Sequence, residues 1–319
     1  MTQQTPEPLE VALALGGGAA RGLAHIGILR VLEREGVRIR AVAGTSIGAI
    51  IGGIYCAGKL DEYEEYIRGM DAKGMLKLLD PVMKKAGLLG GNRMMKRLYE
   101  ILGERETGEL KVPFTAVATD LHTGEEVRLH SGDLVETMRA SMAIPGVFTP
   151  VKNGDRWLVD GGVSMPVPVG AARAMAQDLP VIAVNLNNTS LVFEGEVLPL
   201  LDAPEAEREL GRMERMFQRV RGHRRPGDDD VPGMLSSVSD SVTHMEHRIT
   251  RFQLAADPPD LLLEPHVFGI GLFDFHRAPP IIRAGEECAQ RAVDQGRLKE
   301  LAARARRRGR MPCWLRGRP

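Results

Sequence analysis

The sequence predicts an α/β protein whose central, mostly parallel sheet is flanked by helices and followed by a helical C-terminal extension. Two apolar runs, Leu9–Leu15 and Val37–Ala43, have the character of strands buried inside a parallel sheet. Each run leads through a glycine-containing turn into a segment with apolar residues at helical spacing, Ala19–Glu35 and Ile47–Ala57. This repeated strand–turn–helix order opens a doubly wound sheet.

The later elements follow from the same patterns. Residues 59–108 are predicted to be mostly helical, and the composition becomes more charged after residue 187. We therefore expect an α/β domain over residues 9–190, a helical extension packed on it over 191–300, and a basic, disordered tail over 301–319. The further elements expected are strands Val112–Thr119, Glu126–Leu129, Arg156–Val159, Val181–Leu186 and Leu261–Leu263, and helices Leu134–Met142, Glu205–Arg225 and Gly233–Ala256.

The composition excludes several classes of protein. Hydrophobic residues make up 43% of the 319 residues and charged residues 26%, values that exclude wholesale disorder. Lys plus Arg and Asp plus Glu both number 42, so we expect no nucleic-acid partner. Three widely spaced cysteines without a CxxC motif, and a polar N-terminal segment, predict a cytoplasmic protein without a disulfide framework.

One uncharged stretch, Ala41–Gly58, is long enough to suggest a membrane span. Its glycines and its Thr-Ser pair are more typical of a buried strand, turn and helix. We therefore interpret this stretch as part of the α/β core.

The first chemical motif is the GxSxG sequence around Ser46. Gly44 and Gly48 stand two residues before and two residues after the serine, between an apolar strand and an apolar helix. This spacing suits a sharp turn that exposes a nucleophilic hydroxyl at a helix N-terminus. The alternative is a tightly packed strand-to-helix turn in which Ser46 only caps the helix.

The second motif is the glycine run Gly16, Gly17 and Gly18 between the first strand and the first helix. Successive glycines allow backbone amides to converge into an anion site or an oxyanion hole. A dinucleotide-binding fingerprint requires glycine at the sixth position, where Arg21 stands, and no GK[ST] sequence follows. Nucleotide binding is therefore disfavoured.

The third motif is Asp160-Gly161-Gly162 at the end of a predicted strand. Strand ends hold the functional sites of parallel α/β folds, so Asp160 is a candidate base for Ser46. The alternative is an ordinary Asp-Gly turn.

In this order, LALGGGAARGLAHIG, AGTSIGA, ATDL, RASMAIPGVFTPV and VDGG resemble the patatin-like phospholipase family, especially its bacterial branch related to neuropathy target esterase. The resemblance covers roughly residues 9–187. It implies a hydrolase of lipid acyl esters that works through a Ser–Asp dyad and an acyl-enzyme, without a metal or other cofactor. Position by position, it implies Ser46 as nucleophile, Asp160 as base, the loop Gly16–Gly18 as oxyanion hole and Arg21 as its basic residue.

Two points qualify this assignment. Two alanines separate Gly18 from Arg21 where the common family loop has one residue, which leaves the oxyanion donor open between Gly17 and Gly18. A free aspartate has a pKa of about 3.9 and is a weak base for a hydroxyl. We therefore expect Asp160 to be partly buried, because burial raises the pKa of a carboxyl.

The histidines offer alternatives to a dyad. His25 could complete a triad, but packing beside the glycine loop is favoured because the base of a triad usually comes from a late loop. His266 and His276 suit that chain order better but lie in no recognised motif. His244 and His247 could share a metal, but no third ligand has a suitable spacing, so we predict no metal site.

The expected partner is a lipid ester, and three other expectations concern the surface. The Arg-rich segment Arg212–Arg225 and the tail are either solvated or attracted to an anionic membrane. The amphipathic segment 233–256 could pack against a second subunit in a homodimer. Methionines within 70–95 and 213–217 could line an acyl-chain groove or belong to the core. The alternative functions are a soluble carboxylesterase or thioesterase with the same dyad, and a non-catalytic lipid-binding regulator.

Overall fold

A computed structural model of the chain describes residues 8–78, 80–84, 87–187 and 234–309. The predicted helix Glu205–Arg225 and residues 310–319 lie outside these ranges. The strands are β1 Glu10–Leu15, β2 Arg38–Thr45, β3 Pro81–Lys84, β4 Gly87–Leu89, β5 Phe114–Asp120, β6 Glu126–Leu129, β7 Val151–Asn153, β8 Arg156–Asp160, β9 Val181–Val184 and β10 Leu261–Leu263. The α-helices are α1 Ala24–Arg34, α2 Ile47–Cys56, α3 Leu60–Arg68, α4 Ala72–Leu78, α5 Asn92–Leu102, α6 Leu134–Ser141, α7 Val169–Met175, α8 Met234–Ala256, α9 Ala278–Asp294 and α10 Arg297–Gly309.

The centre of the fold is an eight-stranded, mostly parallel sheet in the order β10–β9–β1–β2–β5–β8–β7, with β6 paired to β5. The five strands from β10 to β5 run parallel to one another. β6 and β8 are antiparallel to β5. The predicted α/β class is confirmed, and β10 shows that the C-terminal region also contributes a strand to the same sheet.

Strands β2 and β8 lie end to end along one edge of β5. Val117 of β5 pairs with Thr45 of β2, and the next residue, Ala118, pairs with Asp160 of β8. Both β5 residues pair with β6 on their other side, so β2 and β8 share the opposite edge. The C-terminal ends of these two strands therefore meet.

Helices cover both faces of the sheet, so the fold has three layers. On one face, Leu13, Leu15 and Val42 pack in a large apolar cluster with buried residues of α1 and α2. On the other face, small side chains such as Ala14 and Ala43 pack against α7. The uncharged stretch 41–58 forms the end of β2 and the buried helix α2. In the described part of the chain, no helix has the length and apolar character to span a bilayer.

Three details of the predicted elements need correction. The first helix is preceded by a 3-10 turn, Ala19–Leu23. The segment predicted to be mostly helical contains an antiparallel hairpin formed by β3 and β4. The tail predicted to be disordered from residue 301 is helical as far as Gly309, because α10 continues into it.

Helices α1 and α9 pack in close contact through two glycines. A Cβ on Gly27 of α1 would lie 2.1 Å from the carbonyl oxygen of Ile282, and a Cβ on Gly285 of α9 would lie 1.9 Å from the carbonyl oxygen of Ala24. Neither approach leaves room for a side chain. This contact fixes the C-terminal region to the first helix of the α/β core.

We expect Gly285→Ala to lower the free energy of unfolding by about 1–3 kcal/mol, because the added methyl group must push the two helices apart. Urea denaturation would measure the change. Gly170→Ala in α7 is the control, since its Cβ would meet neighbours only at 3.7 Å or more. Its stability should be equal to or slightly greater than that of the wild type, because alanine favours a helix over glycine. A Gly285→Ala protein as stable as Gly170→Ala would contradict the close packing.

Candidate active site

Ser46 lies on the sharp turn that joins β2 to α2. Its backbone has φ 56° and ψ −122°, a conformation that costs a non-glycine residue about 1–3 kcal/mol. The flanking glycines make the turn sterically feasible. A Cβ on Gly44 would lie 2.4 Å from the Gly48 carbonyl oxygen, and a Cβ on Gly48 would lie 2.1 Å from the Leu15 carbonyl oxygen. The turn at Ser46 therefore requires glycine at both positions.

The hydroxyl of Ser46 donates a hydrogen bond to Asp160 Oδ2 at 2.6 Å. The other carboxylate oxygen, Oδ1, accepts the amide of Gly162 at 2.7 Å. The chain can turn here because Gly161 has no side chain: a Cβ would lie 2.1 Å from the Val117 carbonyl oxygen. The two residues predicted to form a dyad are therefore in direct contact. Contrary to the expectation from parallel strands, Asp160 ends an antiparallel strand.

Ser141 stabilises the turn at Ser46 through two hydrogen bonds. The sequence analysis did not identify this residue. Its hydroxyl accepts the amide of Ser46 at 2.9 Å and donates to the Val117 carbonyl oxygen at 2.6 Å. This bridge ties the strained Ser46 backbone to β5. Ser141 lies within RASMAIPG, a stretch that carried the family resemblance without an assigned function.

The Asp160 carboxyl is almost completely buried, with 3% of the residue exposed. Burial raises the pKa of Asp160 to about 6, although the hydrogen bonds from Ser46 and Gly162 act in the opposite direction. A carboxylate with this pKa is a stronger base than a free aspartate and is still ionised at neutral pH.

The glycine loop does not present its three amides equally. The amide of Gly16 donates to the Val184 carbonyl oxygen at 3.0 Å, and the amide of Gly17 donates to the Pro166 carbonyl oxygen at 2.9 Å. Within the described residues, Gly18 is the member of the run whose amide has no backbone acceptor. Gly17 and Gly18 were the two candidates for the oxyanion donor, and of these two Gly18 has the amide that no backbone oxygen of the described residues accepts, whereas Gly16 and Gly17 use their amides to shape the loop. The oxyanion role of the loop stays a prediction.

Arg21 and His25 support this loop. The Arg21 guanidinium donates to the Gly18 carbonyl oxygen at 3.1 Å and to the Leu186 carbonyl oxygen at 3.4 Å. His25 is fully buried, and its Nε2 lies 2.9 Å from the Gly16 carbonyl oxygen. Burial lowers the pKa of His25 to about 4, so the ring is neutral and donates from Nε2. This arrangement agrees with packing beside the loop, the interpretation favoured for His25.

The other histidines that the structure describes do not join the dyad. Among the described residues, no histidine hydrogen-bonds to the Ser46 hydroxyl or to the Asp160 carboxylate. His276 lies half-buried in a 3-10 turn, and His244 is exposed on α8. The described ranges contain no group of three or more His, Cys, Asp or Glu side chains arranged to hold a metal ion.

Two pockets of different character meet at Ser46. The first encloses about 830 Å³, partly open to solvent, and is lined almost entirely by apolar side chains from α2, α3, α4, α5 and residues 272–275. The second has a mixed lining: the ionisable groups of Arg21, Asp160 and Glu246 stand beside apolar side chains such as Val147 and Leu272. We call it the polar pocket because of these three ionisable groups. Three methionines of the segment 70–95 line the apolar pocket: Met70, Met75 and Met94.

Glu246, on α8, is a site residue that the sequence analysis missed. The point where a Cβ on Gly162 would lie is 2.6 Å from Glu246 Oε1 and 3.1 Å from Asp160 Oδ1. Two carboxyl groups therefore border the same small space. Met245 and Phe252 of this helix are 55% and 72% exposed, whereas Thr250, one turn after Glu246, is buried. The face of α8 that carries Glu246 therefore turns inward.

Comparison with known proteins finds a matching family model and similar relatives. A family model described as Patatin-like phospholipase matches residues 13–173. An NTE family protein of Mycobacterium bovis is 33% identical over 330 residues, covering 89% of this chain and 91% of the relative. Patatin-like phospholipase domain-containing protein 6 of Mus musculus is 33% identical over 186 residues, 56% of this chain but 14% of that protein. The solved structure of VipD from Legionella pneumophila aligns with a TM-score of 0.43 and 12% identity, over 91% of this chain and 67% of that one.

Because the Asp160 carboxyl is buried, we expect the substitution Asp160→Asn to change the free energy of unfolding. An acid whose pKa is raised on folding binds its proton more tightly in the folded chain, so its ionisation destabilises the fold as the pH rises from about 4 to about 6. Above pH 6 the full penalty is present. We expect Asp160→Asn to raise the free energy of unfolding at pH 8, by an amount on the order of 1–3 kcal/mol.

Denaturant unfolding of both proteins at pH 8 and pH 4 would test this expectation. The difference between them should shrink at pH 4, where the wild-type carboxyl is protonated in the folded state and about half protonated in the unfolded state, so that little of the penalty is left. An Asp160→Asn protein less stable than the wild type at pH 8 would argue against a destabilising buried carboxylate.

Proposed function

The chain belongs to the patatin-like phospholipase family, and from this premise we propose that it hydrolyses carboxylic esters of lipids with Ser46 as nucleophile and Asp160 as base. Family membership supports lipid hydrolase activity. The observation that carries the finer proposal is the 2.6 Å hydrogen bond from the Ser46 hydroxyl to Asp160 where an apolar and a polar pocket meet.

In the proposed acylation step, Ser46 Oγ attacks the carbonyl carbon of the ester while Asp160 Oδ2 takes the hydroxyl proton. The existing hydrogen bond already has the direction that this transfer needs. The pKa of about 6 favours the step, because Asp160 is ionised at neutral pH and is a better proton acceptor than an exposed aspartate.

The negative charge that develops on the carbonyl oxygen needs donors held in advance. We assign the amide of Gly18, which lines the pocket beside Ser46, and the N-terminal end of α2, whose dipole points its positive end at the same space. Arg21 keeps the Gly18 peptide in place through its carbonyl oxygen. The bond from the carbonyl carbon to the alcohol oxygen then breaks, and the alcohol leaves with, in net balance, the proton that Ser46 gave up, so that Asp160 is a carboxylate again. Water attacks the acyl-enzyme with Asp160 as base, and the acid is released as Ser46 Oγ recovers its proton.

The apolar pocket suits the acyl part of the substrate. Its walls expose almost no polar surface, and Ile67 of α3 and Phe275 of the C-terminal region are among its lining residues. A long acyl chain placed there would gain about 0.8 kcal/mol for each buried CH₂ group. This gain favours lipid esters over the short esters of a soluble carboxylesterase.

Anionic membrane binding and homodimer formation stay predictions. The Arg-rich segment Arg212–Arg225, which carried the membrane expectation, lies outside the described residues.

Replacement of the nucleophile should abolish turnover. We expect Ser46→Ala to lower kcat/KM for ester hydrolysis by about 10³-fold or more and to prevent labelling by a fluorophosphonate. Ser164→Ala is the matched control, because Ser164 bonds to Thr119 and lines neither pocket. Rates measured on purified, folded proteins would decide the matter, and a Ser46→Ala enzyme that keeps most of the wild-type rate would refute the assignment.

A narrowed apolar pocket should change the preferred chain length. Ile67 is 2% exposed and lines the pocket, so we expect Ile67→Trp to fill space that a long acyl chain needs. The kcat/KM values for nitrophenyl esters from four to sixteen carbons should fall about 10-fold or more at the long end and little at the short end. The short ester also serves as the control for folding. A uniform loss along the series would count against an acyl-binding role.

A further inference from the structure

Glu246 occupies a position that the Ser–Asp reaction leaves unexplained. It lines the polar pocket together with Ser46 and Asp160, and its Oε1 reaches to within 2.6 Å of the point where a Gly162 side chain would begin. Glycine at 162 is therefore what gives this carboxyl its access to the dyad. Glu246 is half-buried, and the partial removal of a carboxyl from water costs free energy.

The helix that carries Glu246 is fixed next to the dyad. The Gln253 side chain donates from Nε2 to the Ser164 carbonyl oxygen at 2.7 Å, four residues after Asp160. Thr250, one turn after Glu246, is 1% exposed. The inward face of α8 thus packs on the turn that follows β8, and Glu246 is held above the pocket.

The two carboxyl groups have different protonation states. Burial and the negative charge of Asp160 raise the pKa of Glu246 to about 8, while the Arg21 guanidinium opposes this shift. Burial raises the pKa of Asp160 only to about 6. Between these two values Asp160 is a carboxylate and Glu246 is a neutral acid. A base and an acid side by side are what cleavage of an ester with a poor leaving group needs.

On the basis of the proposed function, we infer that Glu246 is a second catalytic residue, the general acid that protonates the departing alcohol. Ser46 Oγ bonds to the carbonyl carbon and gives its proton to Asp160. When the bond from that carbon to the alkoxide oxygen breaks, the alkoxide takes the proton of Glu246 and leaves as the alcohol. Glu246 becomes a carboxylate, which the nearby Arg21 stabilises.

The proton balance then closes between the two carboxyl groups. Asp160 holds the proton from Ser46, and it passes this proton to the Glu246 carboxylate across the space beside Gly162. This transfer restores an ionised Asp160 and a neutral Glu246 before water attacks the acyl-enzyme. In that second step Asp160 takes the water proton and returns it to Ser46 Oγ as the acid departs.

The leaving group provides the test. Nitrophenolate needs no proton to depart, whereas a glycerol alkoxide does. We expect Glu246→Gln to lower kcat/KM for monooctanoyl glycerol about 10²-fold or more, and kcat/KM for nitrophenyl octanoate by less than about threefold. Both esters carry the same acyl chain, and kcat/KM reports the acylation step for both. In the wild type, kcat/KM for the glycerol ester should decline above about pH 8, and Glu246→Gln should remove this decline.

Equal losses on the two esters, or no loss on the glycerol ester, would overturn the inference. A wild-type enzyme that cleaves the nitrophenyl ester but not the glycerol ester would also overturn it. Gln253→Ala is the control for a structural effect, because a loosened α8 should change both esters alike. Ser46→Ala must abolish both reactions. If it does not, the proposed function itself fails, whereas loss with Ser46→Ala and no selective effect of Glu246→Gln rejects only the acid.

Discussion

The site depends on two strands that meet on one edge of β5. β2 runs parallel to β5 and ends at Thr45, and β8 arrives from the opposite direction and ends at Asp160, one β5 residue further along. Ladder hydrogen bonds fix both strand ends, so the main chain, and not a pair of long side chains, sets the distance between the hydroxyl and the carboxyl. A short rigid contact of this kind keeps the reacting groups in place before the substrate arrives.

The same contact is unfavourable for the stability of the fold. Ser46 has a positive φ, and the Asp160 carboxyl is removed from water. Neither feature would persist in a loosely packed protein. Several contacts hold the local backbone in place: the Ser141 bridge, the glycines that allow close approach and the α1–α9 contact. A strained residue is retained where the surrounding structure fixes its backbone in this way.

Local pattern was enough to predict the first strands and helices and the GxSxG turn, because hydrophobic periodicity and glycine placement are properties of neighbouring residues. The strand-end position of Asp160 made it a candidate partner of Ser46, but the family resemblance was needed to choose this pairing over an ordinary turn, since no local signal joins positions so far apart. The direction of each strand in the sheet could not be predicted from the sequence, and β8 runs antiparallel to β5. The inward face of α8, where Glu246 lies, could not be predicted either, because apolar residues of this helix such as Phe252 are exposed. The sequence also does not show which amides donate to another loop, as the Gly17 amide donates to the Pro166 carbonyl oxygen.

The walls of the two pockets come partly from the region that the family model matches and partly from the rest of the chain. The matched family region, residues 13–173, contains Ser46 and Asp160. Glu246 and the wall residues Leu272 and Phe273 come after it, and Leu272 borders both pockets. An ester bound at Ser46 has its acyl chain on one side of the carbonyl and its alcohol on the other, so an apolar pocket next to a pocket with ionisable side chains fits one bond in one orientation. The C-terminal region supplies part of both walls, and substrate choice in this protein should therefore depend on residues outside the region that the family model matches.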